Sequence, residues 1–91
     1  MVKVVFPSII AKTTNGEREI VLTASTLKDV LDQLVLKYGD SFKERIFDSS
    51  GKPKRFLNFY INGKNIRFLD NLNTILKQTD EITILPSASG G

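Results

Sequence analysis

Cysteine and histidine are both absent from the 91 residues. Without cysteine there are no disulfides and no thiolate zinc sites. Without histidine the commonest general base is missing, and with it the Ser-His-Asp and Cys-His nucleophile pairs. No apolar run approaches the ~20 residues of a transmembrane helix. The opening Met1-Val2-Lys3-Val4-Val5-Phe6 is too short and wrongly built for a signal peptide, so no membrane partner and a cytoplasmic location are expected. A chain this short makes one domain and has no spare bulk to wall a deep active site. Together these absences speak against a self-sufficient enzyme.

Charge is mildly positive, with 13 basic and 10 acidic residues and a net charge of +3. The densest basic stretch is Lys52-Pro53-Lys54-Arg55, followed by Phe56. A nucleic-acid footprint is one reading of it. However, Asp48-Ser49-Ser50-Gly51 supplies turn chemistry just before it, and three cations neutralise few phosphates. The stretch is therefore read as a solvated loop, and a small nucleic-acid-binding module stays the remote alternative. Asp29 with Asp32, and Asp80 with Glu81, are read as solvated charge. No oxygen-rich cluster has metal-loop spacing, so no metal site is expected.

Hydropathy patterning divides the chain into elements. Val2, Val4 and Phe6 alternate with Lys3 and Val5, which predicts a half-buried strand ending at Pro7. Asn15-Gly16 signals a turn, and residues 19–23 form a second strand with Ile20 and Leu22 inward. Residues 8–18 are expected to be a mobile connection. Thr26 reads as a helix N-cap with Asp29 three residues on. Leu27, Val30, Leu31, Leu34, Val35 and Tyr38 then share one helical face, up to a stop at Gly39. Phe42, Ile46 and Phe47 predict a second short helical turn or cover. Residues 56–61 alternate again, and Asn62-Gly63 is a strong hairpin signal. A return strand is expected at 66–68, then an inward turn at Leu72, Ile75 and Leu76. The last strand is expected at 81–85. The order predicts an α+β fold with a mixed sheet of about four to five strands over one main helix. With the last strand placed beside the first, in parallel, the topology is the β-grasp.

After Leu85 the chain reads Pro86-Ser87-Ala88-Ser89-Gly90-Gly91. Pro86 is expected to end the strand. No side chain beyond it can bury apolar area, so a domain over 1–85 and a flexible tail over 86–91 are expected. The glycines lack a Cβ, so their backbone can approach another chain or a nucleotide closely. The terminal carboxylate is ionised at neutral pH. It could attack the α-phosphate of ATP if a partner supplied magnesium. Two terminal glycines arise by chance in roughly one chain in two hundred, which lifts them above background only together with the topology.

These features resemble the ThiS/MoaD branch of ubiquitin-like proteins, which includes ubiquitin-related modifiers and small archaeal modifier proteins. The matching pieces are Val2 to Phe6, the Thr26-capped helix, Phe59-Tyr60-Ile61-Asn62-Gly63, and Asp80 to Pro86 running into Gly90-Gly91. The resemblance implies a ubiquitin-like modifier or sulfur carrier, not an enzyme. An E1-like enzyme would adenylate Gly91, and sulfur transfer would then give a thiocarboxylate, or the terminus would be joined to target lysines. Gly90 matches the penultimate glycine needed for passage into the activating site. As the chain ends at the diglycine, no processing protease is expected. Sulfur acceptors in the family serve molybdopterin, thiamin or tRNA thiolation. The 48–55 loop and Ser87 depart from molybdopterin-synthase small subunits, so that assignment is kept as the alternative. No cofactor is expected on the chain itself, since ATP and magnesium belong to the activating enzyme. The free chain is expected to be monomeric. By alternation Val5, Tyr60, Thr83 and Leu85, with Phe56 added, are expected on the sheet face opposite the helix, as a partner-binding patch near the root of the tail.

Overall fold

The structure is a computed structural model that describes residues 1–86. Five strands form one mixed sheet: β1 (Val2–Val5), β2 (Glu19–Leu22), β3 (Leu57–Ile61), β4 (Lys64–Asn65) and β5 (Glu81–Pro86). Their order across the sheet is β2-β1-β5-β3-β4. β1 pairs antiparallel with β2 and parallel with β5, and β5 pairs antiparallel with β3. The last strand is thus the middle one, as the sequence predicts for a β-grasp.

One face of the sheet is covered by α1 (Leu27–Tyr38) and α2 (Asp40–Ile46). Thr26 caps α1: its hydroxyl accepts from the Asp29 amide at 3.2 Å, and the Asp29 carboxylate accepts from the Thr26 amide at 3.3 Å. The expected apolar stripe faces the sheet, with Leu27, Val30, Leu31 and Leu34 buried. Each such side chain contributes about 1.5–3 kcal/mol by leaving water. Gly39 has φ +85° and separates the helices. Its amide donates to Val35 and its carbonyl accepts from Lys43, so one residue ends α1 and starts α2. Beside this break Phe6 meets Tyr38 and Phe42 edge to face, at centroid distances of 5.8 and 6.3 Å, and Tyr38 and Phe42 lie tilted at 39° with centroids 5.6 Å apart. The Tyr38 hydroxyl donates to Glu17 at 2.6 Å, and partial burial, then that bond, raise its pKa.

Three connections differ from the sequence reading. Residues 8–18 are not a mobile loop throughout, because Ser8–Thr14 is a 3-10 helix that buries Ile10 and Thr14. The return strand is only Lys64–Asn65, and Ile66–Phe68 is a 3-10 turn. There the Asn65 side chain accepts from the Arg67 amide at 2.9 Å, which turns Ile66 inward and leaves Phe68 78% exposed. Ile75 points outward and not inward, at 80% exposed. Its neighbours run extended beside the N-terminus of α1, with Leu27 N–H donating to Thr74 and Leu76 N–H donating to Ser25. Alternation then sends Thr74 and Leu76 in and Ile75 out.

The β3–β4 turn is the expected one, with Asn62 at φ +52° and Gly63 at +85°. Asp80, expected to be solvated, is instead buried at 8% exposure beneath this turn. Its carboxylate accepts from Asn62 Nδ2 at 2.9 Å and from the Lys77 amide at 2.8 Å. Asn62 Oδ1 in turn accepts from the Glu81 amide at 2.9 Å. The pair fixes the register at which β5 enters the sheet.

Asp80→Ala strands both donors and should cost about 1–3 kcal/mol in chemical denaturation. An effect below about 0.5 kcal/mol would show that water replaces the carboxylate. In the 48–52 turn, the Ser50 hydroxyl and then the Lys52 amide hold Asp48 below the usual carboxylate range. A depressed folded pKa means that this contribution is present above the unfolded value and is lost as pH falls through the folded one. The Ser50 and Lys52 amides should therefore titrate together in NMR, at lower pH than an unperturbed aspartate.

Candidate functional site

β5 carries the chain from the centre of the sheet to the residues where the sequence places its chemistry. Ile82 and Ile84 are fully buried against the helices, whereas Thr83 is half-buried and Leu85 is 44% exposed on the other face. The strand runs one residue beyond expectation, through Pro86, which sits opposite Leu57. The proline costs the sheet no bond. The antiparallel alternation turns its nitrogen toward β1, and β1 has already ended at Val5.

The open face can be built from the registers. Val5, Thr83 and Tyr60 stand side by side on three adjacent strands. Leu85 lies two residues further along, opposite Asn58. Four of the candidate surface residues are therefore neighbours on one face, in the half of the sheet nearer Pro86. Phe56 lies just before β3, half-buried and packed against the core, with the Lys54 ammonium 5.9 Å from its ring centre. Charge lies directly beside these residues: Glu19 stands opposite Val5 in the same row, and one row on Lys3 Nζ lies 3.2 Å from Glu19 and 3.9 Å from Glu81. Exposed pairs of this kind add little stability, and they leave the face mixed in character. Val21, 58% exposed, also belongs to this face through its pairing with Lys3. Sequence reasoning passed over it, although Val21 alternates with the inward pair Ile20 and Leu22.

Gly90 and Gly91 lie outside the described residues. Among the described residues no three carboxylates gather where a metal ion could be held. The arrangement offers a central strand, paired on both sides, that runs to the end of the sheet beside a face of mixed apolar and charged residues.

The model of the ThiS family matches residues 4–91. The sulfur carrier protein CysO of Mycobacterium tuberculosis is 36% identical over 92 aligned residues, covering 99% of this chain and 98% of the relative. In solved structures, the small archaeal modifier protein 1 of Methanosarcina acetivorans superposes with a TM-score of 0.85 at 38% identity, covering 99% of this chain and 95% of that one. A chain of the BexX/CysO complex of Amycolatopsis orientalis superposes with a TM-score of 0.86 at 31% identity, with both chains covered in full.

The alternation on β5 makes a direct test. Ile84→Ala should cost about 2–5 kcal/mol, whereas Leu85→Ala should stay within about 0.5 kcal/mol, both read by urea denaturation. Similar costs would mean that β5 does not present Leu85 to solvent.

Proposed function

The chain belongs to the ThiS family, and from that membership we infer that it is a ubiquitin-like sulfur carrier and protein modifier, a substrate of enzymes with no catalysis of its own. The observation that carries this reading is the family match, which runs through Gly91. Similarity to a sulfur carrier over nearly the whole of both chains supports it.

The chemistry follows from the terminal carboxylate. An E1-like partner binds ATP and magnesium and neutralises the phosphates. A carboxylate oxygen of Gly91 attacks the α-phosphorus, the bond to the bridging oxygen breaks, and pyrophosphate leaves. The product is an acyl adenylate. Hydrosulfide then displaces AMP to give a thiocarboxylate, or a lysine amine displaces it, with loss of a proton, to give an isopeptide. Gly90 and Gly91 are proposed as the residues that enter the narrow activating site, because neither has a Cβ to obstruct it. Val5, Thr83, Tyr60 and Leu85 are proposed to seat the partner, since they stand together on one face near the end of β5. Phe56 is proposed as the rim of that seat. No helix among the described residues is long and apolar enough to cross a membrane, and the proposed place of work is the cytoplasm, with the free chain monomeric.

The test is incubation with ATP and the E1-like enzyme, followed by intact mass spectrometry. One oxygen-to-sulfur exchange at Gly91 supports sulfur delivery. Tryptic peptides whose lysines carry the residue 78–91 remnant support conjugation. Neither product with a competent enzyme would refute the reading. Deleting Gly90-Gly91 should abolish adenylation while leaving the circular dichroism spectrum and stability unchanged. Tyr60→Asp with Leu85→Asp should lower adenylation at least about tenfold, and an unchanged rate would remove the face from the docking role.

A further inference from the structure

The basic loop at 52–55 has a spatial neighbour that the sequence does not reveal. The fold brings Arg67 up to it, so that Lys52, Lys54, Arg55 and Arg67 line one groove of about 290 Å³, and among the described residues no carboxylate lines it with them. Asn58, Asn65 and Asn71 add amide groups, and the half-buried Leu72 adds apolar surface. Among the described residues, the ion pairs involve Lys3 and Lys28 and none of these four cations. Asp48, at the start of the loop, already accepts from the Ser50 hydroxyl and from the Ser50 and Lys52 amides.

The groove also runs along a strand edge. β4 meets β3 only at Tyr60 and Ile61. Among the described residues, Leu57 to Phe59 therefore has no strand on its outer side. Ile61 and Lys64 close the two-residue turn and exchange bonds with each other, so the alternation turns Tyr60 toward β5 and Phe59 outward. The Phe59 amide and carbonyl face the groove. The Leu57 amide is taken by the Lys54 carbonyl at 3.1 Å.

Position supplies the occupant. Leu57 is the residue opposite Pro86, so the groove opens at the end of the sheet from which the chain departs. The five residues beyond Pro86 span at most about 18 Å. A protein holding Gly91 must therefore lie against this end of the molecule.

We propose that this groove docks an acidic, extended segment of the partner protein that takes up Gly91, with the segment's backbone pairing to Phe59 and its carboxylates meeting Lys52, Lys54, Arg55 and Arg67. The proposal deepens the carrier reading and rests on it for the partner's identity. A polypeptide fits better than nucleic acid for two reasons. A bare strand edge matches another backbone. And the one aromatic ring in the lining, Phe59, is 3% exposed and offers no platform for base stacking. The cations would mainly speed encounter and set orientation, with an effect that weakens as salt rises.

The experiment is an NMR titration of the full ¹⁵N-labelled chain with a capped synthetic peptide of alternating Glu and Val, at low salt. The Phe59, Asn58, Lys54 and Arg67 amides should shift together. Arg55→Glu with Arg67→Glu should weaken binding at least about tenfold. Lys37→Glu with Lys77→Glu, the same change in net charge elsewhere, should leave it unchanged. An unmoved Phe59 amide, an equal loss in both double variants, or tighter binding of poly(U) RNA at the same amides would each overturn the proposal. Removal of Gly90-Gly91 should not alter peptide binding, so failure here is separable from failure of Gly91 activation.

Discussion

The buried pairing of β5 between β1 and β3 is the constraint on which the rest of the molecule depends. Ile82 and Ile84 are fully buried beneath α1 and α2, and the strand has a partner on each side. Because β5 is held from both sides, its outward residues are fixed with equal firmness. Thr83 is aligned with Val5 and Tyr60 in one row, and Leu85 follows along the same face. Presentation of the following residues is a by-product of core packing.

The two ends of β5 are secured by different means. At the start, Asp80 accepts from Asn62 Nδ2 and from the Lys77 amide, and Asn62 Oδ1 accepts from the Glu81 amide, under a turn that needs positive φ at both central residues. At the finish, Pro86 occupies a position whose inward ladder bond is already missing, since β1 has ended. Register is thus set by polar contacts far from the departing chain. A small ubiquitin-like domain thereby holds its central strand in register from its first residue to Pro86.

Much of this was legible from sequence, because strong local signals and the global fold agree. Thr26 and Asp29, the stripe from Leu27 to Tyr38, and Asn62-Gly63 each act over a few residues and specify one outcome. The alternation of β1, β3 and β5 likewise sorts Val5, Tyr60, Thr83 and Leu85 onto one face. What escaped was set by tertiary contact. Ile10 and Thr14 are buried only because α2 packs over the Ser8–Thr14 segment. Ile75 faces out because residues 74–76 pair with the start of α1, a contact across about fifty positions of chain. Arg67 joins Lys52, Lys54 and Arg55 only once the short β4 has turned it back. No pattern in a single strand or helix carries that information.

The central place of β5 also bears on biosynthesis. It is the last of the five strands to be made, yet β1, the first, is flanked by it. Until Ile82 and Ile84 emerge from the ribosome, β1–β2 and β3–β4 are separate hairpins with no common partner, and the non-local pairings that complete the sheet cannot form. A chain interrupted before β5 would expose the apolar faces of both hairpins and be a ready target for proteolysis. Folding itself then screens the translation products, since only polypeptides that have been made through β5 attain a protected state.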